Sequence, residues 1–146
     1  MGRRGTAPGL WPCRDAGHAI RIDGSGDNLH LPHMYEKASV VYTGTHDNDT
    51  TLGWYTSLDE GTRQRVDYFL RAGAGQMPQA MIHTLAGTVA QLAVVPMQDV
   101  LGLGSEARLN TPGTVTGNWS WRLPEQALSP QLAQRFAWLN RVFGRV

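Results

Sequence analysis

Two short apolar runs organise this chain. Residues 40–44 (VVYTG) and residues 90–96 (AQLAVVP) have the near-continuous apolar character expected of parallel strands buried on both faces, each with a neighbour at both edges. Between them the period changes to that of helices. Ser57-Leu58-Asp59-Glu60 reads as a capping box opening a helix, with Thr62, Val66, Phe69 and Leu70 on one face and Gly73 and Gly75 ending it. Residues 77–88 read as a second helix. It tolerates Pro78 in its first turn, turns Ala80, Met81, Leu85 and Thr88 inward, and leaves His83 on its polar side. Ser129-Pro130 then supplies an N-cap and first helical residue for a helix to Phe143, with an apolar stripe of Leu132, Phe136, Leu139 and Phe143 and a stop at Gly144. Strands alternating with helices predict an α/β fold. In such folds chemistry sits at the carboxyl ends of the strands, which makes His46, Asp47, Asn48 and Asp49 the first candidate site and Gln98-Asp99 a second polar strand end.

The remaining polar segments carry weaker signals. His30 and His33 flank Pro32 in a loop that begins at Asp23. A metal site needs three or four convergent ligands and no third is evident, so a structural loop is the preferred reading. The calcium-loop pattern fails because Thr51 and Leu52 occupy the positions of its third ligand and its glycine. The GLGSE segment at residues 102–106 fails both phosphate-loop patterns, since Ala107 replaces the last glycine and no lysine follows. It reads as a tight loop capped by Ser105 before a short helix. Trp119 and Trp121 would share one side of an extended segment, where indoles either pack or stack on sugar faces.

Composition narrows the choices. A formal net charge of +1 leaves neither a nucleic-acid footprint nor an acidic tail. No apolar run reaches the ~18 residues of a membrane span, and the amino terminus lacks the apolar core of a signal peptide. A cytoplasmic protein without membrane or nucleic-acid partners is expected. Cys13 is the single cysteine, so neither an internal disulfide nor a multi-cysteine zinc site can form.

Two long motifs go further. THDNDTTLGWY at residues 45–55 and AQLAVVPMQDVLGLGSEARLNTPGTVTGNWSWR at residues 90–122 resemble the carboxyl-terminal part of the 4-alpha-glucanotransferases of the amylomaltase, or disproportionating enzyme, family, relatives of the alpha-amylases. The resemblance extends from Asp23 to the end. It implies that residues 23–146 form the last two strands, with their helices, of a (β/α)8 TIM-type barrel, an incomplete one because a closed barrel takes roughly 250 residues. Residues 1–22 diverge. They read as a disordered tail or as a frame-shifted product, because residues 14–22, back-translated and read one base later, can give a sequence like the barrel strand expected there.

The implied activity is transfer of alpha-1,4-glucan segments to glucose or malto-oligosaccharide acceptors by a retaining mechanism, with no cofactor and no metal. The partners implied are these sugars and the upstream part of the barrel. Carried over by residue, Asp47 matches the third carboxylate of the family, which stabilises the transition state. His46 matches a hydroxyl-binding residue, Asn110 a position on the acceptor side, and Asp23 a weaker candidate for a neighbouring subsite. The nucleophile and acid/base belong to earlier strands, and Glu60, Asp99 and Glu106 match neither. The chain alone is therefore expected to be inactive. The alternative is a non-catalytic carbohydrate-binding or complementing module.

Overall fold

The computed structural model describes residues 30–145. Asp23 and the divergent residues 1–22 lie outside them. The described residues form a mixed α/β unit around a two-stranded parallel sheet, β1 (Val40–Tyr42) and β2 (Leu92–Val94), with Val40, Val41 and Tyr42 opposite Leu92, Ala93 and Val94. Three helices connect the strands, α1 (Thr51–Ser57), α2 (Glu60–Leu70) and α3 (Gln79–Ala86); α4 (Met97–Leu101) and α5 (Pro130–Val142) follow β2.

Alternate residues of a strand face opposite sides, and here the two sides differ. Val41 is 1% exposed and packs with Val66 of α2 and Met81 and Leu85 of α3. Leu92 and Val94 are 52% and 38% exposed. The expectation of a strand buried on both faces thus fails for β2. Among the described residues the helices cover only the Val41–Ala93 side, and each strand has one neighbour. Helix α3 is central because it is apolar on two sides. Met81 and Leu85 meet the sheet, while Ile82 and Ala86 meet Leu139 and Phe136 of α5.

Several boundaries differ from those expected. Helix α1 has no counterpart in the sequence reading. Thr50 caps it by accepting from the Gly53 N–H at 3.0 Å. Ser57 is the last residue of α1, and its hydroxyl donates to the Trp54 carbonyl at 2.7 Å, so it caps nothing. Asp59 caps α2 instead, accepting from the Thr62 N–H at 3.0 Å; bonds from Thr62 hold its carboxyl below the usual range. Glycine is not needed at the end of α2, where Arg71 takes the left-handed conformation, φ 52°, and bonds back to Asp67 and Tyr68. Helix α3 starts after Pro78 and stops at Ala86, short of Thr88. Gln98 and Asp99 lie in helix α4 rather than at a bare strand end. The Ser129-Pro130 start is as expected: Ser129 accepts from the Leu132 N–H at 3.1 Å, and α5 ends one residue before Phe143. His83 is exposed, as its polar side predicts.

The carbonyl end of α3 is closed from a distance. Arg145 donates from Nε to the Ala86 carbonyl at 2.6 Å, and through its terminal nitrogens to Thr88 and Ala90 at 2.9 and 3.0 Å. A cation there satisfies acceptors that a helix end leaves unpaired and complements its dipole.

Two tyrosines make the fold sensitive to alkali. Burial pushes the Tyr35 hydroxyl up to about 12, and it donates to the His30 carbonyl at 3.0 Å. Burial, and then the hydrogen bond to Asp67 at 2.7 Å, also raises Tyr55. Both folded values exceed the ordinary value of 10.0. The stability they contribute is therefore complete below that pH and is lost as pH rises toward 12, because the unfolded chain ionises first. Circular dichroism against pH is expected to show unfolding in this window, displaced upward by Tyr35→Phe. A fold indifferent to pH up to 12 would contradict the burial of both hydroxyls.

Candidate functional site

The site begins where β1 runs out. Thr43 is buried and donates from Oγ1 to Asp99 Oδ2 at 2.5 Å. On the far side of the loop, Thr51 donates from its backbone N–H to Asp99 Oδ1 and from its hydroxyl to Asp99 Oδ2, both at 2.7 Å. One carboxylate, 1% exposed, therefore fixes both ends of the loop that carries the THDND motif. Within the loop Asn48 Oδ1 accepts from the Thr45 N–H and hydroxyl, each at 2.8 Å, the local turn chemistry of Asx side chains. Asp49 accepts from the Thr50 N–H at 2.8 Å and from the Ser105 hydroxyl at 2.6 Å. Asn48 and Asp49 build the loop, and His46 and Asp47 are exposed on it.

A second segment meets this loop. Asn110 Nδ2 donates to Asp47 Oδ1 at 2.6 Å, and His46 Nε2 lies 3.2 Å from the same oxygen. Arg108 bridges the segments, donating to the Asp47 carbonyl and to the Asn110 carbonyl at 2.8 Å each. Three of the four expected site residues, His46, Asp47 and Asn110, thus come together across 63 positions; the fourth, Asp23, lies outside the described residues. Among the described residues these contacts fall on Oδ1 of Asp47, so Oδ2 keeps its lone pairs for other donors. The Trp119 ring lies 5.4 Å from the His46 ring.

Beside this cluster, at the carboxyl ends of the strands, lies a cleft of about 460 Å³ bordered by Tyr42, His46, Asn48, Val94, Gln98 and Arg108. It opens along the sheet side on which Leu92 and Val94 are exposed. Asp49 and Asp99 also border it, but each has both carboxylate oxygens engaged by protein donors. Neither is placed to attack or to protonate a substrate. The arrangement can grip hydroxyls through the Asp47 carboxylate, the His46 imidazole and the Asn110 amide. Retaining glycosidic chemistry needs two carboxyl groups about 5 Å apart acting as nucleophile and acid/base, and this cluster offers neither role a second member.

Two expected features take another form. Ser105 does not cap the turn Ser105–Ala107; Glu106 accepts from the Gly104 N–H at 2.8 Å, while the Ser105 hydroxyl is committed to Asp49. Trp119 and Trp121 do not lie on a simple extended strand, because Trp119 is left-handed with φ 59°. Arg108, the Asp99 hub and the pairing of Trp119 with His46 were not found from sequence. The one local hint was that Arg108 stands two residues before Asn110. No group of three or more His, Cys, Asp or Glu among the described residues could hold a metal ion, and no helix among them is long and apolar enough to cross a membrane.

Comparison with known proteins adds an independent line. The profile of a family described as 4-alpha-glucanotransferase matches residues 19–128. The chloroplastic/amyloplastic 4-alpha-glucanotransferase of Arabidopsis thaliana is 43% identical over 127 residues, which covers 84% of this chain and 22% of that protein. The 4-alpha-glucanotransferase of Thermus thermophilus is 47% identical over 123 residues, covering 78% of this chain and 24% of the relative. Among solved structures, an amylomaltase from Streptococcus agalactiae in complex with acarbose superimposes with a TM-score of 0.76 at 28% identity, over 84% of this chain and 25% of that one. The chain spans about a quarter of the length of these relatives.

Proposed function

Because this chain belongs to the 4-alpha-glucanotransferase family, we propose that it supplies the transition-state-gripping wall of a site that transfers alpha-1,4-glucan segments to glucose or malto-oligosaccharide. In this reading β1 and β2 are the last two strands of a (β/α)8 barrel, and the sheet side that leaves Leu92 and Val94 exposed faces the barrel interior. Asp47 holds hydroxyls of the sugar whose bond is cleaved and stabilises the charge of the oxocarbenium-like transition state. His46 binds hydroxyls of the same sugar, Asn110 lines the acceptor side, and Asp23 serves a neighbouring subsite. The nucleophile and acid/base come from other strands of the barrel.

The observation that carries the proposal is the convergence of His46 and Asn110 on Asp47 Oδ1, at 3.2 and 2.6 Å. An aspartate whose only task was to form a turn would bond its own backbone, as Asp49 does. Asp47 is instead addressed by two side chains that themselves bind hydroxyls well, beside a cleft. Maltotriose tests the reading. The chain alone is expected to produce no glucose and no longer oligomers, whereas residues 30–145 exchanged for the matching segment of the Thermus thermophilus relative should yield an active transferase. Turnover by the chain alone would show that the catalytic pair lies within it. A folded but inactive chimera would favour the non-catalytic carbohydrate-binding or complementing module.

A further inference from the structure

The indole of Trp119 is half exposed, at 54%, yet it is held firmly. Its φ of 59° is a conformation that bulky residues rarely adopt, that costs free energy, and that persists only where the surroundings impose it. The surroundings do so here. The Trp119 N–H donates to the Leu109 carbonyl at 2.6 Å, which closes the loop 109–119 on itself. Inside that loop Asn118 accepts from the Thr111 N–H at 2.9 Å and donates to the Thr114 carbonyl at 3.1 Å. The ring so fixed lies against His46, with centroids 5.4 Å apart and planes inclined by 34°. The loop therefore holds the ring in place while about half of it stays open to solvent.

We infer that Trp119, with the His46 ring beside it, forms a stacking floor for one glucose unit of a malto-oligosaccharide, next to the Asp47 carboxylate. A pyranose presents an apolar C–H face and a rim of hydroxyls. It therefore requires a flat apolar surface bordered by hydrogen-bonding groups, and here the indole is bordered by the imidazole, with the Asp47 carboxylate and the Asn110 amide one contact further on. The loop that fixes the indole starts next to Asn110, so one closed loop carries both the stacking surface and the hydroxyl-binding amide. This inference rests on the proposed sugar-binding reading of the site and adds to it a residue that contributes contact area rather than charge.

Acarbose, titrated calorimetrically into the whole chain and its variants, separates the two. Trp119→Asn removes the ring and keeps a residue that tolerates the left-handed backbone; its affinity is expected to fall on the order of tenfold. Trp119→Phe keeps a ring and should stay within about threefold of the native chain. Trp138→Ala, which removes an exposed indole from α5, should leave affinity unchanged. Native affinity in the Trp119→Asn variant would overturn the inference. If acarbose binds the native chain and its affinity is indifferent to Trp119→Asn, this inference falls and the proposed function stands. If neither the native chain nor the chimeric transferase binds acarbose, both fall.

Discussion

Replacing Asp47 by Asn in the chimeric full-length transferase is expected to cut transfer from maltotriose by on the order of 10²-fold or more, roughly the loss of 3 kcal/mol from one preorganised electrostatic contact. The substitution is nearly isosteric. It keeps an oxygen for Asn110 to donate to and removes the negative charge. A carboxylate held beside a sugar contributes most when the ring flattens and becomes cationic, so the loss should appear in kcat far more than in KM. His46→Ala should cost less, because a contact to a neutral hydroxyl can be partly replaced by water. Steady-state kinetics on maltotriose decides the matter. Near-normal kcat in Asp47→Asn would reduce this aspartate to a loop residue and remove the foundation of the proposed site.

Asp99→Ala is expected to produce the largest loss of stability. The native carboxylate accepts three bonds in a place that is 1% exposed, from the Thr43 hydroxyl and from the hydroxyl and N–H of Thr51. Truncation leaves three buried donors. The hydroxyls can rotate toward other acceptors, but the Thr51 N–H at the first turn of α1 cannot. At about 1–3 kcal/mol for each unsatisfied buried group, the cost is on the order of 3–5 kcal/mol. Thr51→Val removes one hydroxyl and spares the N–H, so about 1 kcal/mol is expected from it. Urea unfolding followed by circular dichroism measures both. An Asp99→Ala variant within about 1 kcal/mol of the native chain would mean that water fills the gap and that the hub is not structural.

Both strands and the three longer helices were legible in the sequence because each carries its own apolar pattern, whereas the short helices α1 and α4 do not. The start of α5 at Ser129-Pro130 and the burial of Met81 and Leu85 in α3 needed only local information, while the burial of Ile82 and Ala86 against α5 was missed. The end of α1 did not yield to it. Ser57 and Asp59 are both competent caps two residues apart, and the choice depends on a seven-residue helix too short to show a period. The exposure of β2 was also hidden, since an apolar run reads the same whether one or both of its faces are covered. At the site, His46, Asp47 and Asn110 could be singled out through the two motifs that contain them. Asp99 was marked only as a polar strand end, Trp119 only as an indole that packs or stacks, and Arg108 not at all, because each acts by meeting a residue 48 to 73 positions away, and nothing in a local window records such a meeting.

Gly53 shows what this means for anyone wishing to toughen the protein. A glycine inside a helix invites replacement by alanine, which ordinarily gains up to ~1 kcal/mol from helix propensity alone. Here a Cβ at position 53 would fall on the Ser105 hydroxyl oxygen and within 2.8 Å of Asp49 Oδ1. The methyl group would drive apart the two side chains that lock the THDND loop to the turn preceding Arg108 and Asn110. The gain in the helix would be taken out of the alignment of those residues with Asp47. A consensus recipe for thermostability, applied without regard to this contact, would harden the scaffold and blunt the site.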